Sequence, residues 1–198
     1  NPDDPSTHNN LGNFYLQRLQ LPQAIACYDQ ALSRQPDYPD AELNKAIAVL
    51  LSGDLAAGWP LYEARWKRAR PTSPLRHFTQ PLWLGAPELQ GKTILLHAEQ
   101  GLGDTLQFCR YVPMVAALGA RVILEAPDAL LHLLSSLPGI HQLVATGQPL
   151  PAFDYHCPLL SLPLAFHTTL DTIPAPNAYL RCDPSRRNLW AQRMGPSD

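Results

Sequence analysis

The most regular hydrophobic pattern in the chain runs from Thr93 to Gly119 and predicts a strand, a glycine-containing turn and a helix. Residues 93–97 form a short apolar run bounded by glycine, which is typical of a buried strand. Apolar side chains then recur at helical spacing as far as Gly119, a plausible helix stop, and Pro113 predicts an irregularity within that helix. A second apolar run, residues 121–125, completes a β-α-β unit.

The remaining elements predicted for the second half are short, because many of the 21 prolines of the chain fall there and interrupt regular structure. The pattern predicts helices at 127–137 and 185–194, a helical segment after Pro158, and further strands at 142–145, 153–157 and 178–181. Strands that alternate with helices indicate one small parallel α/β domain, residues 93–198.

Residues 1–72 contain two copies of a helical repeat. Residues 5–38 carry small, aromatic and proline residues at the offsets of a tetratricopeptide unit: Leu11, Gly12, Tyr15, Ala24, Tyr28, Ala31 and Pro36. The second copy, 39–72, is more divergent, with Arg65 where alanine is usual. Residues 73–92 are rich in proline yet contain Phe78 and Trp83, which predicts a linker docked on folded structure. The fold class is therefore α plus α/β: tetratricopeptide repeats followed by a single Rossmann-like domain.

Asparagines cluster on the first helix of each predicted repeat. Asn10 and Asn44 occupy equivalent positions, and Asn9 and Asn13 lie on the same helix as Asn10. A side-chain amide both donates and accepts, so it can pair with the backbone of an extended peptide. The pattern resembles the repeats of the nucleocytoplasmic O-GlcNAc transferases, and this resemblance implies a peptide or protein acceptor bound by these four residues. Local hydrogen bonding within the repeats is the alternative, and both remain open.

Composition narrows the possible partners and location. The net charge is −2 with 16% charged residues, so bulk electrostatics give no reason to expect a nucleic acid or an anionic membrane as partner. The apolar runs fall short of the ~18 residues that a membrane span needs. The four cysteines and seven histidines show no metal-binding spacing, and we assign no metal. Scattered cysteines of this kind fit a reducing cytoplasm.

The loop after the first predicted strand is the leading candidate for chemistry, because open α/β sheets bind ligands outside the carboxyl ends of their strands. Gly101 and Gly103 predict a tight turn with close access to the backbone. Asp104 is predicted to be the N-cap of the helix, with Gln107 reaching back to form a capping box. A dinucleotide fingerprint is disfavoured, since Leu106 stands at the third glycine position.

The run LLHAEQGLGD, residues 95–104, and the run DYHCPLLSLP, residues 154–163, resemble bacterial proteins in which tetratricopeptide repeats are fused to a GT-B glycosyltransferase module similar to the heptosyltransferases. The resemblance implies that Asp104 is the catalytic base that deprotonates an acceptor hydroxyl. Glu99 is a second candidate carboxylate on the same loop. His156, predicted at a strand end near the same rim, is a reserve base or hydrogen-bond donor. The implied acceptor-site loop also contains Gly101, Gly103, Gln107 and Ser161.

The resemblance covers only the acceptor side of such an enzyme. A GT-B fold has two Rossmann-like domains, and the second holds the nucleotide sugar, whereas these 198 residues contain one. The resemblance therefore implies a nucleotide sugar as donor in the full-length enzyme, no cofactor in this chain, and no sugar transfer by this chain alone. The alternative is a non-catalytic interaction scaffold in which the α/β domain is a relic.

Overall fold

The computed structural model describes residues 3–70, 73–175 and 178–195. The chain forms two compact units, Asn1–His77 with Pro163–Ile173, and Phe78–Leu162 with Pro174–Asp198. The first unit consists of helices, and the second contains a four-stranded parallel sheet. The predicted fold class, helical repeats followed by a parallel α/β region, is confirmed.

The helices of the first unit form two successive pairs with a constant offset. They are α1 (Pro5–Gln17), α2 (Leu21–Arg34), α3 (Pro39–Leu51) and α4 (Leu55–Tyr62), and a 3-10 turn follows at Glu63–Trp66. The starts of α1 and α3 differ by the same amount as those of α2 and α4 (39 − 5 = 55 − 21), which is the length of one tetratricopeptide unit. Both α1 and α3 start with proline, which suits the first helical position because no N–H is needed there.

The close approach of α1 and α2 depends on a small residue facing a large one. A β-carbon at Gly12 would overlap the ring of Tyr28, so glycine is required at this position. Tyr28 is fully buried beside Ala24 and Ala48. Its hydroxyl donates to Asn13 Oδ1 at 2.9 Å, which satisfies the polar end of an otherwise apolar side chain. Gly12 and Tyr28, two of the residues that mark the repeat in the sequence, therefore form the contact between the helices.

The second repeat accommodates an arginine where the first has a buried alanine (65 − 31 = 34). Arg65 is only 3% exposed. Its guanidinium lies 4.8 Å from the ring centroid of Tyr62 and 4.7 Å from that of Trp66, and it pairs with Glu63 at 2.6 Å. Because a buried charge is tolerated only when it is paired and hydrogen-bonded, these contacts explain how the divergent repeat remains folded.

The second unit is built around strand β1. The strands are β1 (Thr93–His97), β2 (Arg121–Ala126), β3 (Ile140–Ala145) and β4 (Tyr155–Pro158), in the order β3-β2-β1-β4. The helices that follow α4 along the chain are α5 (Leu102–Phe108), α6 (Val112–Ala117), α7 (Asp128–Leu134), α8 (Leu162–Ala165) and α9 (Pro184–Met194). On one face of the sheet, Leu95, Ile123 and Val144 pack with partly buried aromatic and leucine side chains.

One predicted irregularity is confirmed, and one element differs from the prediction. The single helix expected up to Gly119 is broken by a 3-10 turn at Cys109–Tyr111, because Pro113 at the start of α6 has no N–H to continue the helical hydrogen bonds. The strand predicted at 178–181 is irregular backbone instead. A strand needs a neighbour with free hydrogen-bonding groups, and β4 is already covered on its outer side.

That cover comes from residues just before β1. Trp83 N–H donates to His156 O at 2.8 Å, and His156 N–H donates to Pro81 O at 3.1 Å. Trp83 itself is buried. The short bridge protects the exposed edge of β4, a common requirement for edge strands. The later part of the predicted linker therefore packs on the α/β unit.

In the turn between α1 and α2, Leu19 adopts a left-handed backbone conformation that glycine adopts more easily. Leu19 has φ +57° and is 71% exposed, whereas its equivalent in the second repeat is Gly53 (53 − 19 = 34), with φ +91°. A left-handed conformation costs a side-chain-bearing residue roughly 1–2 kcal/mol. Glycine removes this cost, but the greater conformational entropy of glycine in the unfolded chain offsets about 0.5–1 kcal/mol of the gain. We therefore expect Leu19→Gly to stabilise the protein by about 0.5–1 kcal/mol in urea unfolding. A lower urea midpoint for Leu19→Gly would contradict this account.

The buried hydroxyl of Tyr28 predicts a loss of stability at alkaline pH. Burial, with a smaller contribution from Cys27, raises the pKa of Tyr28 from 10.0 to about 12. The unfolded chain therefore loses this proton at a lower pH than the folded chain does. The folding stability that the raised pKa contributes is complete below pH 10 and is lost as the pH rises towards 12. In Tyr28→Phe we expect a weaker alkaline decline, at a cost of about 1 kcal/mol near pH 7 from the lost bond to Asn13. Urea unfolding from pH 7 to 11.5 checks this, and identical alkaline slopes in the two proteins would rule it out.

Candidate functional site

The order of the strands creates a topological switch point between β1 and β4. Strand β1 pairs in parallel with β2 on one side and with β4 on the other. The chain therefore leaves β1 towards β2 and β3, and later crosses back to place β4 on the opposite side. In open α/β sheets, ligands bind at such a point, outside the carboxyl ends of the strands. Here the loops that follow His97 and Pro158 lie at that corner.

A carboxylate joins these two loops. Glu99 Oε1 accepts the N–H of Leu160 at 3.2 Å. Leu160 lies in the 3-10 turn Leu159–Ser161, directly after β4, and Ser161 is fully buried there. The predicted site residues Glu99 and Ser161 are therefore brought to the same corner by two different strands. The hydrogen bond fixes the spacing of the loops.

Helix α5 begins earlier than predicted, which changes the role of Asp104. Gly101 is the N-cap, and Asp104 is the third helical residue. Asp104 Oδ2 accepts the N–H of Gly101 at 3.0 Å. A glycine N-cap has no side chain to contribute, so only the returning half of a capping box is formed. The prediction that Asp104 is the N-cap was wrong.

The prediction that the Gln107 side chain reaches back to the start of the helix is also wrong, because α5 ends one residue after Gln107. Gln107 is exposed, and its backbone carbonyl accepts a hydrogen bond from Arg110 Nε at 2.8 Å. The residue therefore belongs to the last turn of the helix and not to the first.

The two glycines of the loop are not required by the backbone. Gly101 has φ −70°, which any residue adopts, and Gly103 lies inside α5, so the predicted tight-turn role was wrong. A β-carbon at Gly103 would meet no atom of the described residues within 4 Å, and one at Gly101 would meet only Asp104 Oδ2 at 3.4 Å. The backbone is therefore open on this side. Close approach by a ligand stays a prediction.

His156 lies within β4, opposite Leu95, rather than at the end of the strand. Its Nδ1 is 3.3 Å from Nε2 of His97, a residue that is 3% exposed and that the sequence reasoning missed. The ring centroid of His156 is 4.8 Å from that of Phe78. One of the two facing nitrogens carries the proton, since a neutral imidazole has one donor and one acceptor. His156 thus belongs to a cluster of rings on the sheet.

In the repeat unit, three of the four predicted peptide-binding asparagines form hydrogen bonds within the unit. Asn44 Nδ2 donates to Asn9 Oδ1 at 2.9 Å, and Asn9 is buried. Asn13 accepts the Tyr28 hydroxyl. Asn10 is exposed. Local hydrogen bonding, one of the two alternatives, is therefore observed, and peptide binding stays a prediction for which Asn10 is the most accessible residue.

Within residues 3–70, 73–175 and 178–195, no helix combines the length and apolar character that crossing a membrane requires. Over the same residues, no group of three or more metal-ligating side chains is placed to hold an ion. All four cysteines are free thiols. The cytoplasmic location stays a prediction.

Comparison with known proteins identifies the repeat. The tetratricopeptide repeat family matches residues 5–38, the first of the two copies. Protein FlbA of Caulobacter vibrioides is 26% identical over 227 aligned positions, which cover 98% of this chain and 37% of FlbA. The chain thus spans little more than a third of the length of this curated relative.

Among solved structures, a mutant of the Thermobaculum terrenum O-GlcNAc transferase has 19% identity and a TM-score of 0.33 over 65% of this chain and 25% of that one. At this level the likeness carries no argument about the function of the chain.

The hydrogen bond from Gly101 to Asp104 predicts a difference between two substitutions. Asp104→Asn keeps a side-chain oxygen that accepts the N–H, so we expect its melting temperature to stay within a few degrees of wild type. Asp104→Ala removes the acceptor and should cost about 1 kcal/mol, the usual net contribution of one hydrogen bond. Thermal and urea unfolding measure both variants. Equal losses for Asn and Ala would show that the hydrogen bond does not stabilise the loop.

Proposed function

We propose that this chain is the acceptor side of a glycosyltransferase of the GT-B type that contains tetratricopeptide repeats. In this proposal, the corner between β1 and β4 presents an acceptor hydroxyl to a nucleotide sugar, and the nucleotide sugar is held by a second domain of the full-length enzyme. The observation that carries the proposal is the hydrogen bond from Leu160 N–H to Glu99, which joins the two loops at the topological switch point.

The residues at this corner suit a reaction that needs a proton acceptor beside unoccupied space in which a substrate can bind. Asp104 is half-exposed, and its Oδ2 bond to Gly101 leaves further lone pairs on the carboxylate. A hydroxyl held within ~3 Å of such an oxygen passes its proton to the carboxylate as it attacks the anomeric carbon of the sugar. The bond from that carbon to the phosphate oxygen of the nucleotide breaks in the same step, and the nucleotide leaves. The open space beside Gly103 supplies room for that hydroxyl and the group that carries it.

The repeats supply the second part of the proposal. Stacked helical repeats create extended binding surfaces, and proteins commonly use them to hold other proteins. We propose that the acceptor is a peptide or protein, with Asn10 as an exposed amide that pairs with its backbone. Asn9, Asn13 and Asn44 would contribute by exchanging the hydrogen bonds that they form within the unit.

A second function is favoured by one observation. Asp104 points back onto its own helix, and this is what a purely structural carboxylate does. In this alternative the chain is an interaction scaffold: the repeats bind a peptide, and the α/β unit carries no catalytic step.

A transfer assay with Asp104 variants distinguishes the two functions. Because the proposal places the nucleotide sugar on a second domain, the assay uses the longest natural protein that contains these residues, with radiolabelled UDP-, GDP- and CMP-sugars. We expect incorporation of label into protein, and a loss of about 10²–10⁴-fold in Asp104→Asn, the usual contribution of a general base. The matched control is Asp128→Asn, which changes an exposed carboxylate in the first turn of α7, a helix that follows β2 rather than β1 or β4.

Gly103→Ala tests access to the same corner. Alanine is favoured over glycine in a helix by about 0.8–1.0 kcal/mol, and the added methyl meets no described atom, so stability should be unchanged or higher. Transfer should nevertheless fall, because the methyl occupies the space that the acceptor needs. No transfer by the wild-type protein with any of the three nucleotide classes, or full activity in Asp104→Asn, would leave the scaffold as the function.

A further inference from the structure

The last turn of helix α5 is completed by a residue from far along the chain. The Tyr179 hydroxyl donates to Leu106 O at 2.9 Å, across 73 positions of sequence. Leu106 O also accepts a weaker contact from Cys109 Sγ at 3.2 Å. The final carbonyls of a helix have no partner within it, so a hydroxyl from outside acts as a cap.

Arg110 completes the same cap. Its Nε donates to Gln107 O at 2.8 Å, so the carbonyl next to Leu106 O is also satisfied. Its Nη2 donates to the Tyr179 hydroxyl at 3.2 Å, and its Nη1 donates to Pro174 O at 3.1 Å. The guanidinium carbon lies 4.9 Å from the Tyr179 ring centroid. A positive charge at this position also interacts favourably with the carboxyl end of the helix dipole.

These contacts matter because α5 is short. It has seven residues before the 3-10 turn Cys109–Tyr111 joins it to α6, so it has few helical hydrogen bonds of its own. Its first turn carries Gly101 as cap and Asp104 as the third residue, so the geometry of the candidate site depends on whether α5 stays formed. A cap at one end of a helix of under two turns stabilises the hydrogen bonds at the other end, because they form cooperatively.

We propose that Arg110 and Tyr179 are positioning residues that hold α5, and through it the loop from Glu99 to Asp104, in the geometry used by the candidate site. The inference rests on the proposed function for its role in sugar transfer, while the positioning itself can be measured separately. Neither residue touches the switch-point corner through a described hydrogen bond, and both act through the helix.

The chemistry required of each residue is specific. The Tyr179 hydroxyl both donates to Leu106 O and accepts from Arg110, so phenylalanine loses both contacts while it keeps the ring. The planar guanidinium reaches three acceptors in fixed directions, and a lysine ammonium cannot reproduce that fork although it keeps the charge. Tyr179→Phe and Arg110→Gln should therefore have similar effects, with Arg110→Lys between Arg110→Gln and wild type.

The test is amide hydrogen exchange of the 198-residue chain. The reporters are the N–H of Thr105, which bonds to Gly101 O at 3.1 Å, and the N–H of Gly101, which bonds to Asp104. We expect Tyr179→Phe and Arg110→Gln to speed exchange at both amides by about tenfold relative to amides of β1 and β2. Arg181→Gln is the matched control: it removes a neighbouring exposed arginine whose backbone N–H, not its side chain, bonds to Ser136.

Two outcomes overturn the inference. Exchange at Thr105 and Gly101 that equals wild type in both variants would show that α5 does not need the cap. Exchange that rises equally throughout Phe78–Leu162 would show a general structural role instead of positioning. A double variant with no larger effect than either single variant supports one shared cap, whereas additive effects overturn the idea that Arg110 and Tyr179 act together.

Kinetics separate this inference from the proposed function. In a protein that transfers sugar, Tyr179→Phe should raise the KM for the acceptor several-fold and leave the KM for the nucleotide sugar unchanged. If the wild-type protein transfers no sugar, the proposed function fails, and the exchange experiment still decides whether Arg110 and Tyr179 hold α5.

Discussion

The candidate site depends on the central position of β1, which pairs in parallel with β2 on one side and β4 on the other. Every feature of the corner follows from this pairing. It brings Glu99 and Leu160, far apart in sequence, within one hydrogen bond, and it starts α5 at the edge where ligands bind in open sheets. Residues 81–83 cover the other edge of β4, so the sheet does not extend past the corner on that side.

Helix α5 illustrates how a short element is held by contacts at both ends. At its start, Asp104 accepts the N–H of Gly101, and at its end Tyr179 and Arg110 satisfy the carbonyls of Leu106 and Gln107. Such a helix is a flexible place for a site unless its ends are fixed, since a short helix provides few internal hydrogen bonds. The use of Asp104 as a structural group does not oppose a catalytic role, because one carboxylate oxygen can bind the backbone while the other faces a ligand.

Local pattern was sufficient to predict the repeats and the first two strands. The repeat period, the Gly12–Tyr28 contact and the apolar runs of β1 and β2 can all be read from residue types and their spacing. The errors have a different origin. The start of α5 was misplaced because a glycine N-cap gives a weaker signal than Asp104, and the segment 178–181 has strand-like composition but caps a helix from a distant part of the sequence. His97 was missed because an end-of-strand histidine is distinguished only by its partner, His156, which the fold supplies.

We propose that this protein binds a ligand at the corner between the loops after β1 and β4. A fragment screen by crystallography or NMR tests this directly, since small polar and sugar-like molecules collect at genuine binding sites whatever the natural ligand is. We expect hits to cluster against Glu99, Gly101, Gly103 and Asp104 and the facing turn Leu159–Ser161. Hits that cluster elsewhere in Phe78–Leu162, with this corner left empty, would contradict it.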